Sequence, residues 1–107
     1  MDINKYIRLT DTFLCNDKLR DFYTTSYGIE LMFKLYNQSH LETNMHIDEL
    51  YSSLNSQLPR REAFGQYINR LQKSNNIKKI THTQKKSMKS IVLSEHIIIE
   101  LDNIFER

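Results

Sequence analysis

Hydrophobic residues recur at helical spacing along most of this chain, and a stretch after Asn76 switches to strand-like runs. Ile3, Tyr6, Ile7, Thr10, Phe13 and Leu14 fall on one face of a helix over residues 2–15. Asn16 and Asp17 interrupt it, and Leu19, Phe22 and Tyr23 carry the apolar stripe on in a changed phase, which predicts a kinked or two-part first helix. Thr24, Thr25 and Ser26 are N-cap candidates for a second helix. Its stripe is Ile29, Met32, Phe33 and Tyr36, and it ends near Asn37–Ser39. The polar segment SHLETN reads as a loop, with a short strand over Leu41 to Met45. Ile47, Leu50, Tyr51 and Leu54 face inward from a third helix over His46 to Leu54. Asp48 and Glu49 in its first turn suit the positive end of the helix dipole. NSQL is a short connection, and Leu58 plugs the core beneath it.

The run PRREAFGQYINRLQKSNNIKKI, Pro59 to Ile80, organises the rest. Pro59 suits the first helical position, where a missing N–H loses no partner. Phe64, Tyr67, Ile68 and Leu71 mark a buried face. The opposite face carries Glu62, Gly65, Gln66, Asn69 and Lys73, with Arg70 on the flank. Gly65 allows a second backbone to come close. The helix stops at SNN, where Asn75 accepts the left-handed conformation of a C-terminal cap. IKKITH then reads as a strand, THTQKKS as a tip, and MKSIVL as a returning strand, with Met88, Ser90 and Val92 alternating against Lys89 and Ile91. Ser94 and Glu95 begin a last helix with a wide stripe of Ile97, Ile98, Leu101, Ile104 and Phe105, and Ile99 outside it. Two short helices joined by a tight turn, the second polar outside and followed by a hairpin, predict a mainly α fold with a small β-hairpin, a winged helix-turn-helix.

Charge sharpens this picture. From Pro59 to Lys89 the chain holds nine Lys/Arg and one acid, Glu62, while the remainder holds six Lys/Arg and twelve Asp/Glu. A net charge of +2 thus conceals a basic module in an acidic body, and local sign decides whether a polyanion is met. At 107 residues the chain is read as one domain with a modest core, which a dimer would enlarge. With two Gly and one Pro, loops are few and Asn, Ser and Thr do most of the turning. No apolar run approaches a membrane span, and MDINKYIRLTD lacks a signal-peptide pattern. One Cys forms no internal disulfide, which fits the cytoplasm.

Enzyme readings find no support. There is no Gly-rich phosphate loop, nucleophile elbow or HExxH. Pairs such as Asp48 with Glu49 and Glu100 with Asp102 read as solvated helix faces. His40, His46, His82 and His96 lie in different elements without Cys partners, so no metal and no cofactor is expected. Cys15 reads as an inert, partly buried thiol.

The run INRLQKSNNIKKI, followed after the tip by SIVLS, resembles the winged-helix regulators of the MarR and SarA type. That family ends its recognition helix in a pattern close to R-L-x-x-x-G-[LI]-I-x-[RK], then has a basic wing and a strand ending V-x-L-[ST]. Arg70-Leu71, Asn76-Ile77 and Ile91-Val92-Leu93-Ser94 fall in place, over roughly residues 27–95. Asn75 stands where the family usually has Gly, and the Asp-x-Arg pair that commonly braces the wing is absent from THTQKKS. The resemblance implies a DNA-binding regulator. Some peroxide-sensing members carry a reactive Cys in an N-terminal helix, and Cys15 is the residue to compare.

Roles follow from side-chain chemistry. Gln66 and Asn69 offer the donor–acceptor pair that matches an adenine edge in the major groove. Arg60 or Arg61 at the helix start reaches bases or phosphates, and Arg70 and Lys73 lie near phosphates. Thr83, Lys85, Lys86 and Lys89 on the wing track an adjacent minor groove or its backbone. Glu62 either accepts from a cytosine amine or steers Arg61 or Gln66. Singly, each lysine is an ordinary solvated charge, and the clustering is what points to DNA.

The terminal helices either lie on their own core or meet a second subunit. The broad last stripe favours the second, with Ile3, Tyr6, Ile7 and Phe13 joining Ile98, Ile99, Leu101 and Phe105 in the contact. The expectation is one winged-helix domain over 1–107 whose helices at 1–24 and 94–107 build a homodimer. It would bind a pseudo-palindromic, AT-rich site on double-stranded DNA as a transcriptional regulator, most simply a repressor, in the cytoplasm and on the nucleoid. Two other tasks fit the same fold: plasmid or phage partition and replication control, or use of the winged helix as a protein-interaction module.

Overall fold

The computed structural model describes residues 2–81 and 89–106. In chain order they form α1 (Ile3–Leu14), a 3-10 helix (Asp17–Tyr23), α2 (Gly28–Leu41), β1 (Met45–His46), α3 (Ile47–Ser53), α4 (Arg61–Lys73), β2 (Ile77–Thr81), β3 (Lys89–Leu93) and α5 (Glu95–Phe105). The wing-tip residues His82, Thr83, Lys85, Lys86 and Met88 lie outside the described residues.

The first helix is in two parts, as its changed phase implied. Asp2 caps α1 by accepting from the Asn4 N–H at 3.0 Å. The break comes where the Asn16 side chain accepts from the Lys18 N–H and starts the 3-10 helix, whose Leu19 and Phe22 are fully buried. α1 buries none of its residues. Cys15, expected to be partly buried, is exposed and free; it caps the C-terminal end of α1, just past the face that Phe13 packs with.

α2 is the central helix and departs from its expected stripe. It buries Leu31, Met32 and Leu35, while Phe33 and Tyr36 are half-buried and Ile29 is 40% exposed. The cause is that α2 is covered on more than one side, by the 3-10 helix and by β3, so a single stripe cannot describe it. It also runs past Asn37–Ser39 to Leu41 and closes at Glu42 in the left-handed region, φ 55°. Tyr36 pins it to α5: the hydroxyl donates to Asp102 Oδ1 at 2.5 Å and the ring stacks on Phe105. Burial and that bond push the Tyr36 pKa up to about 12.

The sheet is three-stranded and antiparallel in the order β1-β3-β2, with Met45 opposite Ile91 and Ile77 opposite Leu93. Simple alternation on β3 fails. Ser90, Ile91 and Leu93 are all buried and Val92 half-buried, since a middle strand covered on both sides has no solvent face. His46 caps α3 in a capping box with Glu49.

The turn between α3 and α4 is held by Glu30 of α2. Its carboxylate accepts from the Asn55 N–H at 2.9 Å, the Ser56 N–H at 2.8 Å and the Ser56 hydroxyl at 2.7 Å. Burial pushes the Glu30 pKa up, but these donors outweigh it and hold the carboxyl below its ordinary value. A depressed carboxyl pKa contributes stability above the unfolded value of about 4.3, and that contribution is lost as pH falls through the folded value. Glu30→Gln is therefore expected to be less stable than the parent near neutral pH, with the gap closing in acid. Urea unfolding at a series of pH values checks this; a gap that does not change with pH would mean the turn does not depend on the charge.

Candidate nucleic-acid interface

α4 is positioned from both ends and from beneath. Phe64, Tyr67, Ile68 and Leu71 are each at most 2% exposed, the four positions expected from the spacing. The helix begins later than expected. Pro59 is not its first residue; the Tyr51 hydroxyl donates to the Pro59 carbonyl at 2.6 Å and keeps it in the turn, and Arg60 with extended ψ takes the cap position. At the other end Asn75 is left-handed, φ 67°. The Asn76 N–H reaches the Leu71 carbonyl at 2.9 Å and the Asn75 N–H the Gln72 carbonyl at 3.1 Å, a Schellman closure. Asparagine thus fills the place of the glycine.

Beneath the helix, the Tyr67 hydroxyl donates to the Asp21 carbonyl at 2.8 Å. Burial raises the Tyr67 pKa, so the hydroxyl keeps its proton for this bond. Asn76, 4% exposed, donates to the Asp21 carboxylate at 2.6 Å. The 3-10 helix therefore anchors both the body and the end of α4. Sequence reasoning missed this anchor, because a lone Asp in one segment and an Asn in another carry no spacing that links them.

The outer face is exposed as expected. Glu62, Gln66, Asn69, Arg70 and Lys73 are exposed, and Arg60 stands at the helix start. The Arg70 guanidinium lies 5.5 Å from the Tyr67 ring centroid, where the ring holds it at the flank. Arg61 is not free: its Nε donates to Asp48 Oδ1 of α3 at 2.7 Å, so Asp48, and not Glu62, steers it. The Arg61 side chain also lies 3.0 Å from where a Cβ on Gly65 would sit. Gly65 therefore makes room for Arg61, where a second backbone was expected. On the hairpin, Lys78 and Lys89 are exposed, and Lys89 Nζ reaches Thr81 Oγ1 at 3.4 Å. Lys79 was not among the expected interface residues, yet its Nζ donates to Asn69 Oδ1 at 2.7 Å. Strand alternation could have found it: Lys79 shares a sheet face with buried Ile77, the face that α4 packs on.

The expected dimer residues divide. Ile3, Tyr6, Ile7, Ile99 and Phe105 are exposed, at 64, 53, 50, 51 and 47%. Leu101 is 0% exposed and belongs to the core of its own protomer, because the wide α5 stripe turns its centre inward. Phe13 and Ile98 are half-buried; Phe13 packs edge-on against Phe33 at 5.4 Å and against Phe105 at 5.6 Å. A cleft of about 410 Å³ opens beneath α1 between Tyr6, Leu9, Phe13, Ile29, Phe33 and Phe105. Among the described residues no helix is long and apolar enough to cross a membrane, and no three His, Cys, Asp or Glu are grouped to hold a metal.

No family model matches the sequence, and no curated protein matches it. The fold does have solved counterparts. A complex of MepR from Staphylococcus aureus with DNA superposes with a TM-score of 0.62 at 17% identity, covering 97% of this chain and 78% of that one. The heme sensor PefR from Streptococcus agalactiae gives 0.57 at 16% identity over 97% of this chain and 68% of that one. AF1382 from Archaeoglobus fulgidus gives 0.54 at 15%, covering 77% and 87%. At these identities the likeness speaks for architecture. Helix-turn-helix α3–α4, hairpin β2–β3 and the flanking helices give this chain a winged helix-turn-helix fold, the architecture it shares with MepR and PefR.

Proposed function

We propose that this protein is a sequence-specific, double-stranded DNA-binding transcriptional regulator that acts as a homodimer and represses by occupying its site. One observation carries the reading: α4 locks its apolar face in the core while presenting Gln66, Asn69 and Lys73, with Arg60 and Arg70 beside them, to solvent. A rigid helix with a polar outer face and basic flanks suits a major groove, where phosphate contacts position and side-chain amides discriminate. The likeness to MepR, solved bound to DNA, supports it. The exposed apolar residues of α1 and α5 are offered to a second copy, and two-fold symmetry would set the recognition helices about one helical turn apart. The protein works by binding, without a cofactor or a metal, in the cytoplasm.

Titration with genomic and random duplexes at two salt concentrations tests the reading. Affinity is expected to fall with a log–log slope of about −0.9 per phosphate contacted. Genomic DNA should contain preferred sites. Weak binding without any site preference would sink the regulator and favour a protein-interaction role.

A further inference from the structure

The side chain of Asn69 is held, and what holds it fixes which way its amide faces. Lys79 Nζ lies 2.7 Å from Asn69 Oδ1. An ammonium only donates, so the atom facing it must be the amide oxygen, and the amide nitrogen is turned away. The lysine is placed by the sheet. Ile77 is 1% exposed on β2, and two residues on, Lys79 emerges from the same face at the flank of α4. Lys79 as a whole is half-buried, which limits where its ammonium can go.

We infer that Lys79 is a positioning residue that sets base specificity through Asn69. This rests on the reading of α4 as the recognition helix. A free Asn presents an acceptor beside a donor, the pattern that matches adenine N6 and N7. The ammonium takes one of the two lone pairs on the Asn69 oxygen and sets a positive charge beside the other, so the pair presents mainly N–H donors. Adenine would bring its N6 amine against donors and a positive charge. Guanine offers O6 and N7, two acceptors side by side. The Asn69–Lys79 pair therefore selects guanine at one position of each half-site, in place of the adenine that Asn alone suggests.

The test is selection of bound duplexes from a randomised library, followed by affinities for the single-base variants of the best site. The parent protein is expected to prefer guanine over adenine at one position by about tenfold. Lys79→Met, which keeps the stem and removes the donor, should move that position alone toward adenine. Lys79→Arg should retain guanine, and Asn69→Ala should flatten the preference there. A change spread evenly over the site would show only a loss of general attraction and would overturn the inference, as would a Lys79→Met profile identical to the parent. A parent protein with no site preference at all is a different failure, because it removes the DNA-reading function itself.

Discussion

Replacing Gly28 with Ala should destabilise the fold by about 3 kcal/mol or more, a small-to-large change at the tight end of overpacking. Gly28 opens α2 and is buried. An added Cβ would lie 2.7 Å from the Tyr67 hydroxyl and 2.8 Å from the Phe22 carbonyl carbon, and nearer still to the carbonyl oxygen. Ala is the better helix former by about 1 kcal/mol, which works in the opposite direction. The clash should win because the Phe22 atoms are backbone and the Tyr67 hydroxyl is already committed to Asp21. A loss of this size is a large part of the 5–15 kcal/mol that typically holds a domain together. Equilibrium unfolding in urea checks it, and an unchanged midpoint would mean that the 3-10 helix yields where we take it to be fixed. The same substitution should weaken DNA binding, since the atoms it displaces anchor α4.

The second large effect concerns assembly. Tyr6→Glu with Ile7→Glu should give a monomer and lower affinity for a two-fold site by about a hundredfold or more, the usual reward of linking two modest contacts. Both side chains are at least 50% exposed and neither belongs to the buried core, so the protomer itself should keep its fold. Sedimentation of parent and variant, with binding to full sites and half-sites, separates the possibilities. Equal affinity for half-sites and loss on full sites is expected. A variant that remains dimeric would remove α1 from the contact. Leu101→Ala is the contrasting control, because its side chain has no exposure and its truncation should cost about 2–5 kcal/mol in folding instead.

What could be read from the sequence followed the physics of periodicity. α4 was legible down to its four buried residues because it is covered on one side and bare on the other, the condition under which a 3.6-residue stripe means something. The end of α4 was legible because few residues tolerate a positive φ and asparagine is one of them. α2 and β3 were misread for the opposite reason: both are covered on more than one side, so hydrophobicity stops reporting direction. Leu101 was misplaced by the same ambiguity, since a broad stripe does not say which of its columns faces inward. Contacts between distant polar residues were beyond reach. Arg61 with Asp48, Glu30 with Ser56 and Asn69 with Lys79 each join separate elements, and only the packing of the fold brings them within bonding distance.

The open border of the sheet has a consequence even when no DNA is near. The strand order leaves the outer edge of β2 without a neighbouring strand among the described residues. A free rim of N–H and C=O groups is a template onto which any extended polypeptide can add itself, its own siblings included. Lys78 and Lys79 sit on that rim, and an arriving strand would have to dehydrate their ammonium groups to dock. Positive charge on a strand edge is a general device against edge-to-edge pairing, and Lys78 and Lys79 place it on this rim.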